Sequence, residues 1–297
     1  VSDHTDPATD AFVAHRNLLF TVAYEMLGSA ADAEDVLQET WLRWMRVEVG
    51  QVHDERAYLV RITTRQALNR MRTMDRRKES YVGPWLPEPM LTAPDIAEDV
   101  ELAESMSMAM LLVLETLSPI ERAVFVLREV FDLDYDDIAA AVDKTPAAVR
   151  QIAHRARRHV AARRPREVVP PSRARAALES FRRALDTGDP QHLLDVLAPQ
   201  VVLVSDGGGV KRAALRPVVG AEAVVRYILG GIGKTAAAIA MESTVVNGNP
   251  ALVFRVGGEI DGVMAAQVEQ GRITGLYFVR NPQKLTRVTS GAAFTLR

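Results

Sequence analysis

The sequence contains no cysteine. That removes disulfide frameworks, cysteine-ligated zinc fingers, iron–sulfur clusters and thiol nucleophiles, and it fits a reducing cytoplasm. No uninterrupted apolar stretch approaches the ~20 residues that a membrane span needs, so no membrane partner is expected. The first ten residues are polar and acidic, without the basic-then-apolar order of a secretory signal. Histidine is sparse as well. Of six histidines only His192 lies beyond residue 171, and no metal-ligand spacing or His–Asp pair occurs there. No cofactor or metal is expected.

What is present is length, apolar content and segregated charge. The 297 residues are 48% hydrophobic, enough for more than one core. The formal net charge of −2 hides alternating blocks. Residues 61–78 hold seven Lys/Arg and one acid, Asp75; residues 79–121 hold nine acids and no Lys or Arg; residues 144–166 hold eight Lys/Arg and no acid. Such blocks call for a local reading of charge.

The chain divides at its prolines. Residues 12–77 have helical apolar spacing and no internal proline. Gly83, Pro84, Pro87, Pro89 and Pro94 break the pattern over 81–95. Helical pattern resumes over about 96–164 and stops at Pro165, Pro170 and Pro171. Beyond lie a helix pair (173–187 and 192–197), β-branched runs at 201–204, 243–246, 251–256 and 273–279, and one helix near 221–229. That is an α+β pattern.

Residues 134–164 read as a helix-turn-helix. Asp143-Lys144 forms the turn, Thr145 the N-cap and Pro146 the first helical residue. In the second helix Val149, Ile152, Ala153, Ala156 and Val160 fall within about 100° of one another, and the basic residues lie outside that arc. An apolar seam with a basic outer face suits insertion in a major groove. Lys144, Thr145, Arg150, Gln151 and His154 would reach base edges, and Arg155, Arg157 and Arg158 would hold phosphates. The alternative is an ordinary amphipathic bundle helix with solvated arginines. The run Tyr135-Asp136-Asp137-Ile138-Ala139, then Val142, Thr145-Pro146-Ala147-Ala148-Val149-Arg150 and His154-Arg155-Ala156-Arg157, resembles region 4 of extracytoplasmic-function sigma factors. The resemblance implies recognition of the −35 promoter element. The family's usual turn glycine is Asp143 here.

Ala33-Glu34-Asp35-Val36-Leu37-Gln38-Glu39-Thr40-Trp41-Leu42-Arg43-Trp44 resembles region 2.2 of the same family, its main polymerase-binding helix. Val36, Leu37, Thr40, Trp41 and Trp44 share the expected core face. Asp35, Gln38, Glu39, Leu42 and Arg46 share another: an apolar anchor with a polar rim, as a protein-binding patch requires. A solvent face with one stray leucine is the plainer alternative. In the next helix Arg61, Arg65, Asn69, Arg72 and Arg76 project within about 80°, opposite Val60, Thr64, Ala67 and Met71. Four arginines on one face form a phosphate track. The resemblance implies contact with the −10 element here, and readout of a flipped base by the loop 47–54. Tyr58 is equally consistent with a stacking platform and with core.

The resemblance covers roughly residues 10–165, and the chain continues. The C-terminal part resembles a SnoaL-like domain of the ketosteroid-isomerase cone fold, which a subgroup of these sigma factors carries as a cis-acting regulator. Three marks of the subgroup are present: Trp85-Leu86-Pro87-Glu88-Pro89; Asp206-Gly207-Gly208-Gly209 with Lys211; and Asn281-Pro282-Gln283-Lys284-Leu285, with Gln283 where Asp is usual. The resemblance assigns them regulatory or interdomain roles. Three uses of the domain stay open: catalysis with Asp206 as general base, alone or with Asp261 or Glu259; sensing of a small ligand; or docking. Gly233-Lys234-Thr235 imitates the end of a P-loop, but Ile228 stands where the first glycine belongs and a helix precedes it.

The expected fold class is multidomain: two all-α helical sigma modules, the second with a helix-turn-helix, and a C-terminal α+β SnoaL/ketosteroid-isomerase-like cone. The expected partition is 8–80 for region 2, 81–99 for a proline-rich acidic linker, 100–166 for region 4 and 172–290 for the regulatory domain. The expected function is a non-enzymatic sigma factor directing core RNA polymerase to promoter DNA at its −35 and −10 elements. A free-standing dimeric regulator and a tethered isomerase or cyclase are the competing readings.

Overall fold

Helix ends in the first third of the chain sit where the capping chemistry puts them. Asp6 caps α1 (Pro7–Leu27) at Ala8 N, and Gly28, at φ +65°, closes it. Ser29 caps α2 (Ala30–Trp44), accepting from Asp32 N. A 3₁₀ turn at Val49–Gln51 precedes α3 (Glu55–Glu79). The helical region read over 12–77 is therefore three helices: the loop expected at 47–54 separates the last two, and Gly28 adds a break that was not expected. A computed structural model supplies this fold, and it describes residues 6–92, 105–163, 169–234 and 237–291.

The chain forms two compact units. Among the described residues, the first combines 6–79 with 113–163, and the second combines 80–92 and 105–112 with 169–234 and 237–291. Of the linker expected at 81–99, the described part therefore belongs to the second unit, and 93–99 lies outside the described residues, as does the start of the helical pattern expected from 96.

In the first unit α1, α2 and α3 pack around Leu19, Phe20, Tyr24, Trp44 and Leu59, all buried. The Trp44 indole N–H donates to the Ala8 carbonyl at 2.7 Å, which satisfies its one polar atom. The later helices are α4 (Met108–Leu114, which crosses the unit boundary), α5 (Pro119–Phe125), α6 (Tyr135–Val142) and α7 (Pro146–Ala161). A reciprocal capping box of Ser118 and Glu121 starts α5. Asp143 takes the left-handed turn at φ +56°, and Thr145 caps α7 at Ala148 N.

The second unit is a six-stranded mixed sheet of order β2-β1-β6-β5-β4-β3. Helices α8 (Pro171–Thr187) and α9 (Pro190–Val196) lead into β1 (Leu197–Asp206) and β2 (Val218–Val219). Helix α10 (Ala221–Ile232) then precedes β3 (Ile239–Val246), β4 (Asn249–Val256), β5 (Glu259–Glu269) and β6 (Arg272–Val279). A short α11 (Thr286–Ser290) follows. Strands β1 and β6 are parallel and the other neighbours antiparallel. One sheet face packs on α8–α10 through Phe181, Leu185, Val224 and Ile228. The other is covered by Leu86, Leu91 and Met108 from 80–112 and by Leu285 and Val288. Strand β5 was not expected. It is buried along most of its length, so its sequence carries no polar–apolar alternation.

Candidate nucleic-acid faces and a buried clamp

The basic stripe of α3 lies on the outside of the first unit. Arg65, Asn69, Arg72 and Arg76 are exposed and Arg61 is half-buried, while Val60, Thr64, Ala67 and Met71 are buried opposite them. Arg72 donates to Asn69 Oδ1 at 3.0 Å. Arg61 sits 4.6 Å over the Tyr58 ring, which also meets the Trp44 ring at 5.8 Å. Two further cations of α3 face α2: Arg70 pairs with Asp32 and Asp35 at 2.5 Å each, and the exposed Arg77 lies 3.6 Å from Asp32. Burial opposes the Arg70 charge, but bonding to Asp32 and the nearby carboxylates outweigh it and raise its pKa.

In the expected polymerase-binding set, Gln38 and Glu39 are exposed, and Leu42 keeps 55% of its surface. Asp35 is exposed but tied to Arg70. Val13 and Met45 are the other large exposed apolar residues of these helices. In the helix-turn-helix, Lys144, Thr145, Arg150, Gln151, His154, Arg155, Arg157 and Arg158 are all exposed, and Val149, Ala153, Ala156 and Val160 are buried. Arg157 lies 3.6 Å from Glu129 and Arg155 3.9 Å from Glu121, both loose surface pairs worth little.

The three C-terminal marks converge on one carboxylate. The parallel pairing of β1 with β6 sets Asp206 opposite Val279, and the Asp206 carbonyl accepts from Arg280 N at 2.7 Å and Asn281 N at 3.0 Å. Its side chain is fully buried. Oδ1 accepts from the Tyr81 hydroxyl at 2.5 Å and from Gly208 N at 3.0 Å. Oδ2 accepts from Leu86 N at 2.9 Å and Lys284 Nζ at 2.8 Å. A carboxylate offers about four acceptor sites, and all are used.

Lys284 also donates to the Leu86 carbonyl at 2.6 Å, and its ammonium lies 3.3 Å from the Trp85 ring centre, a close cation–π contact. Asn281 Nδ2 donates to the Tyr81 oxygen at 2.8 Å, and its Oδ1 caps the 3₁₀ turn Pro282–Lys284. Burial first, then the bond to Asp206, drives the Tyr81 hydroxyl pKa far above its ordinary value. Leu86, Pro87 and Pro89 are buried, Trp85 and Glu88 half-buried, and Leu285 packs with Leu86. Pro282 is exposed.

Glycine is required at two points of this clamp. A Cβ on Gly207 would sit 2.0 Å from the Lys211 carbonyl oxygen, and Gly208, at φ +61°, would drive one into Asn281 at 2.3 Å. Gly209, also left-handed at φ +73°, is exposed. Lys211 is directed elsewhere: with Arg280 it holds Asp261, at 3.1 and 2.6 Å. Glu259 is exposed.

Two residues not singled out in the sequence complete the picture. One is Tyr81. The other is Asn247 of the β3–β4 turn, fully buried and left-handed at φ +53°. Its Oδ1 accepts from Met90 N at 3.0 Å, its N–H donates to the Met90 carbonyl at 2.9 Å, and its Nδ2 donates to the Met106 carbonyl at 3.0 Å. Thr92 bonds Val245 O and Gly248 N beside it. The Asn-Gly pair is a hairpin-turn signal; nothing in that signal says that the asparagine side chain will grip another segment. Among the described residues no group of His, Asp or Glu is placed to hold a metal ion, and no helix is long and apolar enough to cross a membrane.

Two family models match the chain: Sigma-70 region 2 over residues 11–77 and Sigma-70, region 4, over residues 107–160. The ECF RNA polymerase sigma factor SigJ of Mycobacterium tuberculosis H37Rv is 33% identical over 93% of this chain and 92% of its own. The probable ECF RNA polymerase sigma factor SigI of Mycobacterium tuberculosis CDC 1551 is 34% identical over 96% of this chain and 97% of its own. The crystal structure of the Mycobacterium tuberculosis SigJ superposes with a TM-score of 0.76 at 32% identity, covering 94% of this chain and 98% of that one. The likeness therefore runs through the C-terminal unit as well as the helical modules.

Proposed function

The chain belongs to the extracytoplasmic-function sigma factors, the initiation subunits of RNA polymerase, and from that premise we propose that its C-terminal unit modulates promoter use in cis by gripping the segment between the two sigma modules. The carrying observation is the Asp206 carboxylate, which binds Tyr81 and Leu86 of that segment and Lys284 of its own domain in one buried cluster.

In this reading the stripe Arg61, Arg65, Asn69, Arg72 and Arg76 meets the −10 region, and α7, entered from Lys144 and Thr145, meets the −35 element. Gln38, Glu39 and Leu42, with Asp35 at the rim, meet core polymerase. The functional partition is region 2 over 8–80, the segment 81–99, region 4 over 100–166 and the regulatory domain over 172–290. The protein works in the cytoplasm, where polymerase is.

The domain acts as a docking unit and not as an enzyme. A general base needs a free lone pair facing substrate. Asp206 has spent its acceptors on the clamp, and Asp261 is held by Arg280 and Lys211. A small ligand of this domain would reach the same output by shifting the clamp between held and released states.

The test is in vitro transcription with core polymerase from a cognate promoter, comparing the full chain with Lys284→Met and Asn281→Ala. We expect equal core binding and a change in transcript yield of at least threefold. Equal yield at equal core binding rejects modulation through the clamp.

A further inference from the structure

Asparagine is sparse in this chain: the five are Asn17, Asn69, Asn247, Asn249 and Asn281. An asparagine amide is lost when the backbone nitrogen of the next residue attacks its side-chain carbon, so the following residue decides its fate. Asn249 and Asn281 precede Pro250 and Pro282, whose nitrogens carry no hydrogen. Asn17 and Asn69 lie inside α1 and α3, where the following N–H is bound to a carbonyl one turn back. Asn247 precedes Gly248, and no side chain shields that nitrogen.

The fold holds the two reacting groups of that pair apart. Asn247 and Gly248 form the two-residue turn between β3 and β4, at left-handed φ of +53° and +72°. The Asn247 amide is fully buried and stretched between two partners: Oδ1 accepts from Met90 N at 3.0 Å, and Nδ2 donates to the Met106 carbonyl at 3.0 Å. The nucleophile, Gly248 N, donates to Thr92 Oγ1 at 3.0 Å. Each of these bonds comes from outside the turn. Met90 and Thr92 end the segment that starts at the Asp206 clamp, so the protection lasts only while that segment stays in place.

We propose that Asn247-Gly248 is a deamidation site, shielded while the segment 81–92 is held and exposed when it is released, and that the reaction makes release permanent. On release, Gly248 N attacks Asn247 Cγ and a C–N bond closes a five-membered succinimide. The Cγ–Nδ2 bond breaks, the proton from Gly248 N passes through solvent to Nδ2, and ammonia leaves. Water then opens either ring carbonyl and leaves aspartate or isoaspartate at position 247. Both products lack the donor to the Met106 carbonyl and carry a negative charge that the fully buried position resists taking back. Isoaspartate also runs the backbone through an added methylene, which disturbs the register of β3 with β4. The chemistry depends on the grip alone; its effect on promoter use rests on the reading of cis modulation given above.

The test ages four samples in mildly alkaline buffer: the full chain, its Thr92→Val and Lys284→Met variants, and a free peptide of residues 243–250. Mass spectrometry of that stretch and labelling by isoaspartyl methyltransferase read the reaction. Thr92→Val removes the acceptor on Gly248 N, and Lys284→Met loosens the segment from its far end. Hydrogen exchange at 81–92, against β5 as reference, reads how far each variant opens. The deamidated form of the native chain, separated by its extra charge, is carried into exchange and transcription measurements.

The expected result is deamidation at least tenfold slower in the native chain than in the peptide, and at least threefold faster in each variant than in the native chain. Deamidation of the native chain at the peptide's rate overturns the proposal. If Thr92→Val does not fold, Lys284→Met decides: faster exchange at 81–92 without faster deamidation overturns the proposal too. The deamidated chain should exchange at 81–92 at least tenfold faster than the native one, and equal exchange overturns the permanence of release. A deamidated chain with fast exchange and unchanged transcript yield overturns cis modulation instead, and the deamidation site stands.

Discussion

Replacing Lys284 with methionine removes the cation of the clamp while keeping most of its volume. Three interactions go together: the 2.8 Å ion pair with Asp206, the 2.6 Å bond to the Leu86 carbonyl, and the contact with the Trp85 ring. The larger effect is what remains. Asp206 is fully buried, so its carboxylate is left in the interior without a counter-charge. Removing one member of a buried pair typically costs about 3–5 kcal/mol. If the segment 81–92 opens locally, that raises its open population roughly a hundred- to a few-thousandfold, since about 1.4 kcal/mol is tenfold. Hydrogen exchange followed by mass spectrometry reads this directly, through peptides covering 81–92 compared with peptides from β5. Exchange should accelerate in the first set and change much less in the second. The double variant Asp206→Leu, Lys284→Met should lose less than the sum of the two single changes, because it leaves no unpaired charge. Unchanged exchange at 81–92 in Lys284→Met would refute the clamp as the device that holds the segment.

Further outcomes follow from the same geometry. Asn247→Ala strips both ends of the grip on Met90 and Met106 and puts alanine at a left-handed φ of +53°; we expect about 2–4 kcal/mol of destabilisation in urea melts of the second unit. Gly207→Ala forces the turn carrying Val210 and Lys211 to move and should weaken the second unit by about 1–3 kcal/mol, read by calorimetry. At alkaline pH, Tyr81 and Tyr277 both have pKa values raised in the fold, Tyr277 to about 12 by burial and then by the Glu269 charge. Their contribution is therefore complete below the ordinary tyrosine value of about 10 and is lost as pH rises through the folded values. Tyrosinate absorbance should lag in the folded protein and jump with unfolding. In the first unit, burial would raise the Glu115 pKa, but Arg122 and Lys78 outweigh it and hold it below the usual carboxylate value. Its stabilisation is present above about pH 4.5 and fades below it, and Glu115→Gln should flatten the acid limb of the pH–stability curve.

The helical half was legible because its signals are local. Thr145, Pro146 and Asp143 announce α7 and its turn by capping chemistry, and apolar spacing marks the faces of α2 and α3. The same reading did not separate α1 from α2, because Gly28 alone is a weak break in a helical pattern. The family resemblance drew attention to Trp85–Pro89, Asp206–Gly209 and Asn281–Leu285, but their convergence was not legible. It depends on the parallel β1–β6 pairing, which no spacing within either strand reveals. Tyr81 and Asn247 were missed for a related reason: each looks like an ordinary turn residue, and its role arises from contacts more than 100 residues away in sequence. Strand β5 escaped because a strand buried on both faces loses the alternation that identifies half-buried ones.

The span of the clamp has a consequence for the order of events during synthesis. Tyr81 and Leu86 emerge from the ribosome long before Lys284, with α1–α3 made before them and the helix-turn-helix completed in between. At roughly 5–20 residues per second, the ~200 residues separating Trp85 from Lys284 take roughly 10–40 s to appear. Every newly made molecule therefore passes through an interval in which its two helical modules are complete and the clamp is not.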